Sequence, residues 1–250
     1  MTYTTYISLG DSMSIDRYPA LELNVRQPGR YSAAAGQESP VGAASLFYRN
    51  DAALWPEFDG RDLTTRHPGI ERLDLTMDGA TVGDVFSAQL PELSVPAGPA
   101  VVTLTVGGND LLSAYAAQHG KRVLERAARD IAESYELVVR AVREAVPEGV
   151  LILATVYDPS DRTGRIPGLL GDETDDKLPL QHLDTLNARI RETARRTPGA
   201  RLADVYVHFL GHGMTAPPRE RWYWASSPIE PGAAGASEIR RVWWEALGEG

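Results

Sequence analysis

The sequence contains no cysteine, which excludes disulfide bonds, thiolate metal sites, iron–sulfur clusters and cysteine nucleophiles. Positive charge is also scarce, because 25 Lys and Arg stand against 34 Asp and Glu and give a formal net charge of -9. That charge repels phosphate backbones and anionic lipid. No run approaches the roughly 18 consecutive apolar residues of a membrane helix. We therefore expect a protein that binds neither nucleic acid nor membranes.

The first ten residues lack both the basic segment and the long apolar segment of an export signal, so we expect a cytoplasmic protein. The apolar fraction of 43% and the charged fraction of 24% are those of an ordinary globular protein. A chain of 250 residues suits one large α/β domain, and no linker-like stretch divides it. We expect a single domain over residues 1–250.

Short apolar runs alternate with amphipathic stretches along the chain. The runs are apolar at successive positions, which is typical of parallel strands covered on both faces. The amphipathic stretches have helical spacing. This alternation predicts a three-layer α/β/α sandwich around a five-stranded parallel sheet. The predicted strands are 3–9, 73–77, 100–106, 149–156 and 201–207, and the predicted helices are 82–93, 123–146, 180–196 and 234–247.

Two segments show no clear periodicity. Residues 17–69 form a long irregular excursion, which at that length is expected to cover or flank a functional site. Residues 158–179 are polar and carry an acidic run at Asp172, Glu173, Asp175 and Asp176. We interpret the run as a solvated loop, because no histidine or regular ligand spacing accompanies it.

Candidate functional residues follow the predicted strands, because ligands bind outside the carboxyl ends of parallel strands. Gly10-Asp11-Ser12 follows the first strand and presents a hydroxyl on a sharp turn. Asp78-Gly79-Ala80 follows the second strand, and Gly107-Gly108-Asn109-Asp110 follows the third. The Gly79 backbone N–H and the Asn109 amide are the donors that an oxyanion hole requires. A serine with two independent donors is suited to acyl transfer.

The order and spacing of these three blocks resemble the SGNH/GDSL hydrolase superfamily, and the resemblance covers nearly the whole chain. It implies a flavodoxin-like fold and an esterase or acyl transferase that acts through a seryl intermediate without a cofactor. It also implies that Ser12 is the nucleophile and that the Ser12 N–H, Gly79 and Asn109 form the oxyanion hole. We expect the partner to be a small-molecule ester, either an acylated metabolite or a sugar.

The last block departs from the family pattern of Asp-x-x-His-Pro. Here the sequence reads Ser227-Pro228-Ile229-Glu230-Pro231, so Glu230 stands at the usual histidine position and Ser227 at the usual aspartate position. A serine hydroxyl is a poor nucleophile without a proton acceptor. The base must therefore come from elsewhere, or the chain does not catalyse acyl transfer.

Two histidines follow the fifth predicted strand and are candidates for that base. Two glycines flank His212, which favours an imidazole that turns into the cleft; His208 is more readily interpreted as structural. The preferred triad is Ser12, His212 and Glu230, with Glu230 orienting the imidazole. Glu230 is an alternative direct base if burial raises its pKa toward neutrality.

Further polar residues leave other functions open. Asp11, Asp16, Gly108, Asp158 and His208 are candidate substrate contacts, although Asp158 also suits an Asx turn and Asp16 a loop cap. One alternative is a non-catalytic ligand-binding protein with the same pocket. Another is a metal-assisted phosphoesterase that uses Asp11, Asp16 and Asp158. The sequence predicts neither a metal nor the oligomeric state.

Overall fold

The computed structural model describes residues 2–94, 96–117, 120–166 and 177–249. Its main sheet has five parallel strands in the order β2-β1-β3-β4-β5, with helices on both faces. The α/β fold and the five-stranded parallel sheet are therefore confirmed. The strands are β1 (Thr5–Gly10), β2 (Glu71–Asp74), β3 (Ala100–Thr105), β4 (Gly149–Ala154) and β5 (Ala200–Ala203).

The central strands are apolar at successive positions because helices cover both of their faces. Every residue of β3 is buried. On one face, Tyr135, Val138 and Val142 of the helix Lys121–Ala145 pack against the sheet. On the other face, Phe47 of the helix Ala43–Tyr48 meets Trp243 of the helix Ala233–Leu247. The helices are α1 (Arg17–Arg26), α2 (Ala43–Tyr48), α3 (Leu63–Arg66), α4 (Val82–Asp84), α5 (Gly108–Ala116), α6 (Lys121–Ala145), α7 (Gln181–Arg196), α8 (Val205–Phe209) and α9 (Ala233–Leu247).

The excursion at 17–69 is more regular than the sequence predicts, since it holds α1, α2 and α3. Both α1 and α2 pack against α9. Five of the six residues of α2 are buried, so this helix has no polar face and shows no amphipathic period. The helices of the excursion therefore contribute to the core on the α9 side of the sheet.

Two strand boundaries also differ from the prediction. β2 begins at Glu71 and ends at Asp74 because this edge strand pairs with residues Thr5 to Ser8 of β1. β5 ends at Ala203, where the Asp204 side chain accepts a hydrogen bond from Val207 N and begins α8. A two-stranded antiparallel hairpin, β6 (Tyr223–Trp224) and β7 (Ser227–Pro231), precedes α9 and was not predicted.

No helix within the described ranges is long and apolar enough to cross a membrane. The acidic run at Asp172, Glu173, Asp175 and Asp176 lies outside the described residues, and so does His119.

Candidate active site

The turn that carries Ser12 is held by close contacts between β1 and β3. Gly10 has a φ of +123°, and a Cβ there would lie 1.8 Å from Thr105 O, so only glycine fits. The Gln89 side chain donates to Gly10 O and accepts from Gly10 N, both at 2.8 Å. Asp11 N donates to Thr105 O at 2.8 Å. These bonds fix the position of Ser12 just beyond the carboxyl end of β1.

Asp11 is almost fully buried next to Ser12, with an exposed fraction of 2%. Its Oδ1 accepts a hydrogen bond from Met13 N at 3.1 Å. Burial, and to a smaller extent the negative charge of Glu230, raise the pKa of Asp11 to about 8. Most of the Asp11 population is therefore protonated at pH 7.

Asn109 reaches the same cavity from the start of α5. Its Nδ2 donates one hydrogen bond to Ala80 O at 3.0 Å, which leaves a second N–H for a ligand. The Asp110 carboxylate accepts from Val82 N at 3.1 Å and ties α5 to the loop after β2. Gly108 and Asn109 both line the cavity that contains Ser12.

Gly79, with a φ of +73°, lies in an exposed turn of the loop after β2. It does not line the cavity in the described part of the chain, so its role as an oxyanion donor stays a prediction. Within the described residues, no backbone hydrogen bond uses the Ser12 N–H. Of the three predicted oxyanion-hole donors, the Ser12 N–H and the Asn109 amide are therefore the two that lie at the cavity and have an N–H free for a ligand.

Glu230 lies in β7 and faces the cavity with an exposed fraction of 7%. Burial raises the pKa of its carboxyl to about 7; the charge of Asp78 adds to the rise, whereas a hydrogen-bonding interaction with the Ser12 side chain opposes it. Its Oε2 has no hydrogen-bond partner among the described residues. An unpartnered carboxylate oxygen beside a serine hydroxyl is a candidate proton acceptor.

Neighbouring elements fix the backbone on both sides of Glu230. Tyr157 donates its hydroxyl hydrogen to Ile229 O at 2.8 Å. Glu22 of α1 accepts a hydrogen bond from Ala233 N at 2.7 Å and so caps α9 from a distant part of the chain. The excursion therefore flanks the site through α1, but none of its described residues lines the cavity.

His212 does not line the cavity that contains Ser12. Its ring stacks on Trp222 with centroids 3.6 Å apart, and its Nδ1 lies 2.9 Å from Glu220 O. The N–H groups of Gly211 and Gly213 both donate to Asp161, so the flanking glycines belong to a closed loop. This arrangement gives no support to the Ser12–His212–Glu230 triad.

The other histidines that the structure describes also have partners other than Ser12. His208 lies on α8 and pairs with Glu238 of α9 at 2.8 Å, which agrees with its structural interpretation. His67 is buried between Tyr3 and Glu249. His182 is buried beside Tyr115. None of the histidines that the structure describes lines the cavity.

The remaining candidate carboxylates belong to loops. Asp16 accepts from Gly42 N at 2.6 Å and from the Ser45 hydroxyl at 2.7 Å. Asp158 lines the cavity, but its two oxygens accept from the backbone N–H groups of Ser160 and Arg162. In the described ranges, no group of three or more His, Asp or Glu side chains could hold a metal ion. The geometry therefore gives the phosphoesterase alternative no assembled carboxylate cluster.

The five-stranded parallel sheet, with Ser12, Asn109 and Glu230 lining one cavity at its carboxyl edge, agrees with the fold that the sequence resemblance implies. The model of the GDSL-like Lipase/Acylhydrolase family matches residues 32–237, so the chain belongs to that family. The matched range contains Asn109 and Glu230 and begins after Ser12. A comparison with curated proteins gives no significant match.

Solved structures of similar fold include esterases and lipases. A phospholipase A1 from Streptomyces albidoflavus is 18% identical, with a TM-score of 0.61 and coverage of 98% of this chain and 100% of the other. An acetyl xylan esterase from Geobacillus stearothermophilus is 18% identical, with a TM-score of 0.62 and coverage of 99% and 95%. An extracellular lipase from Streptomyces rimosus is 20% identical, with a TM-score of 0.56 and coverage of 97% and 99%. At these identities the likeness shows the fold.

Proposed function

We propose that the protein is a serine-dependent ester hydrolase in which Glu230, and not a histidine, accepts the proton of Ser12. The observation that carries the proposal is that Ser12, Asn109 and Glu230 line one cavity while Glu230 Oε2 is unpartnered. Membership of the GDSL-like Lipase/Acylhydrolase family supports the hydrolase class. In this proposal the chain departs from the family pattern in its base, because Glu230 stands where the family carries histidine.

In the acylation step, Ser12 Oγ attacks the ester carbonyl and its proton passes to Glu230. The tetrahedral oxyanion accepts hydrogen bonds from the Ser12 backbone N–H and the free N–H of Asn109. Glu230 then returns the proton to the leaving alkoxide, which departs as an alcohol. In deacylation, Glu230 takes a proton from water, the hydroxide attacks the acyl group, and Ser12 recovers its proton as the acid leaves.

Burial gives Glu230 a basicity that an exposed carboxylate lacks. A glutamate of ordinary pKa is too weak a base to deprotonate a hydroxyl effectively at neutral pH. The raised pKa of about 7 places Glu230 in the range where a general base is both ionised and basic. The burial that raises the pKa therefore supports the role of direct base.

The protonation of Asp11 limits the negative charge of the site. If both carboxyl groups were ionised, two negative charges would lie near the developing oxyanion and oppose its formation. With Asp11 neutral, Glu230 carries the negative charge that acts on Ser12, and it loses that charge when it accepts the serine proton. The negative charge has then moved from Glu230 to the oxyanion, and the carboxyl groups of Glu230 and Asp11 are both neutral beside it.

Covalent labelling tests this proposal together with turnover. We expect a fluorophosphonate to label the parent protein at Ser12 and p-nitrophenyl esters to be hydrolysed. Ser12→Ala should lose the label and at least about 10³-fold in kcat. Ser14→Ala is the matched control, because the Ser14 hydroxyl is bonded to Thr105 Oγ1 at 2.7 Å within the same turn. A folded parent that is neither labelled nor active would instead support the non-catalytic ligand-binding alternative.

A further inference from the structure

The turn that contains Gly79 is bonded to the serine turn on one side and to α5 on the other. Its first residue, Met77, donates its backbone N–H to Gly10 O at 3.0 Å. Its last residue, Ala80, accepts a hydrogen bond from Asn109 Nδ2 at 3.0 Å. The N–H of Ala80 donates to Met77 O at 3.2 Å and closes the turn. Both ends of the turn are therefore tied to the elements that carry the two other predicted oxyanion donors.

The peptide between Asp78 and Gly79 is the part of this turn that its backbone bonds leave free. In β-turns of types I and II the ends keep their positions while this central peptide points in opposite directions. Gly79, with a φ of +73°, adopts either without steric cost. Its N–H has no hydrogen-bond acceptor among the described residues. The direction of that N–H therefore depends on what holds the Asp78 side chain.

Tyr18 of α1 holds Asp78. Its hydroxyl lies 3.0 Å from each carboxylate oxygen and shares its hydrogen between them, and a bond to a charged acceptor is stronger than a neutral one. Burial, and then the charge of Glu230, raise the pKa of Tyr18, so the hydroxyl keeps its hydrogen at neutral pH. Arg17 lies 3.6 Å from Asp78, but both side chains of that ion pair are exposed and contribute little.

Tyr18 is in turn held by the elements around Glu230. Its ring centroid lies 6.1 Å from that of Trp224 in β6, which pairs with the strand of Glu230. The helix α1 contacts both strands of this hairpin. Glu22, one turn further along α1, is bonded to the start of α9. A tyrosine on a fixed helix therefore connects the hairpin of the base to the turn of Gly79.

We propose that Tyr18 is a positioning residue that holds the peptide between Asp78 and Gly79 with its N–H directed to the oxyanion. This inference rests on the proposed ester hydrolysis and adds Gly79 as the third donor, beside Ser12 and Asn109. Without the Tyr18 hydroxyl, the peptide rotates and offers its N–H for only part of the time. Stabilisation of the tetrahedral intermediate is then lost, whereas binding of the uncharged ester is not.

Kinetics of Tyr18→Phe test the proposal, because this variant removes the hydroxyl and keeps the ring against Trp224. The donor is misplaced and not deleted, so kcat for a p-nitrophenyl ester should fall about 5- to 30-fold, less than for a deleted oxyanion donor. KM should change less than about threefold. The midpoint of the pH profile should stay that of the parent, because every carboxyl group remains. An unchanged kcat, or a shifted midpoint, overturns the proposal.

Further variants assign the effect to the hydrogen bond between Tyr18 and Asp78. Tyr48→Phe is the matched control, since it removes a hydroxyl that donates to Ile70 O at 3.0 Å, and kcat should change less than about twofold. With each variant at its own pH optimum, Asp78→Asn keeps an acceptor oxygen and should retain more kcat than Asp78→Ala. Combining Tyr18→Phe with Asp78→Ala should lower kcat no further than Asp78→Ala alone. Losses that multiply in the double variant contradict the shared bond.

Motion of the Gly79 amide separates this inference from the proposed catalysis. Nitrogen-15 relaxation detects ps–ns motion through the heteronuclear NOE and μs–ms exchange through relaxation dispersion. We expect a rigid amide in the parent and in Tyr48→Phe, and added motion in Tyr18→Phe. Added motion with a parent that is neither active nor labelled would reject the hydrolase and retain Tyr18 as the residue that fixes the turn. Equal motion in parent and Tyr18→Phe would reject the positioning role, while labelling of Ser12 would still support the hydrolase.

Discussion

Glu230 and His212 were both candidates for the base, and the structure places them in opposite settings. His212 has a stacked ring, a bonded Nδ1 and flanking N–H groups held by Asp161. Glu230 is buried in a cavity with one oxygen unpartnered in the described structure and a pKa raised to about 7. Satisfied polar groups stabilise a fold, whereas a desolvated and unpaired titratable group is available for chemistry.

The largest expected effect is on turnover, and it separates the two residues directly. Glu230→Gln removes the proton acceptor, so we expect kcat to fall about 10²- to 10⁴-fold. His212→Ala should change kcat less than about threefold, because its ring contacts Trp222 and the Glu220 carbonyl. Ester hydrolysis by the purified variants measures both. Glu230→His restores the family's residue and should retain more activity than Glu230→Gln; equal losses in all Glu230 and His212 variants would erase the distinction.

The second effect is on the free energy of unfolding, and its size depends on pH. The pKa of Glu230 is higher in the folded state than in the unfolded state. The stabilisation that comes from its protonated carboxyl is therefore fully present below the unfolded-state pKa and is lost as the pH rises through about 7. Glu230→Gln removes the cost of burying an ionised carboxylate at high pH. The variant should therefore be stabilised at pH 8 by up to about 3 kcal/mol relative to its effect at pH 4. Urea unfolding at both pH values measures the difference. A variant that is less stable at pH 8 than at pH 4, relative to the parent, contradicts the buried carboxylate.

A smaller effect concerns the hydrogen bond that places Glu230. Glu22→Ala leaves the Ala233 N–H unpaired at the buried start of α9, so we expect a loss of about 2 kcal/mol in stability. Because β7 would then be less firmly held, kcat should fall about three- to tenfold with a smaller change in KM. Glu22→Gln keeps an acceptor and should recover most of both. Loss of stability with an unaltered kcat would limit Glu22 to a structural role.

The smallest effect tests the histidine loop. Asp161 has a φ of +49°, which asparagine tolerates, so Asp161→Asn keeps the backbone while weakening the bonds to Gly211 and Gly213. We expect a loss of about 1 kcal/mol in stability and a change in kcat of less than about twofold. Thermal unfolding and ester hydrolysis measure the two. A large fall in kcat would show that the loop around His212 takes part in catalysis.

Much of the fold was predictable from local patterns, because buried parallel strands are apolar at successive positions and glycines mark their ends. Gly10 and Gly107 placed Ser12 and Asn109 correctly at the carboxyl edge. The helix at Ala43–Tyr48 was missed because a helix buried on all sides has no amphipathic period. Elements with a hydrophobic period were therefore predicted from the sequence, whereas a helix buried on all sides was not.

The settings of His212 and Glu230 were not predictable, because they depend on contacts distant in sequence. Asp161 holds the glycines around His212 from about fifty residues away, and Glu22 caps α9 from 211 residues away. The hydrogen bonds between Gln89 and Gly10, which are 79 residues apart, were also not predicted from the sequence. The one available signal was a glutamate at the position where the family carries histidine.

The pH dependence of kcat/KM for a short neutral ester, measured from pH 5 to 9 in the parent, His212→Ala and Glu230→Gln, tests the central claim most directly. The profile reports the ionisation of the free enzyme's base. The account expects a rise with a midpoint near pH 7 and a decline above about pH 8, where Asp11 ionises. The rise should persist in His212→Ala and disappear in Glu230→Gln. A rise that persists in Glu230→Gln, or that shifts or vanishes in His212→Ala, would contradict it.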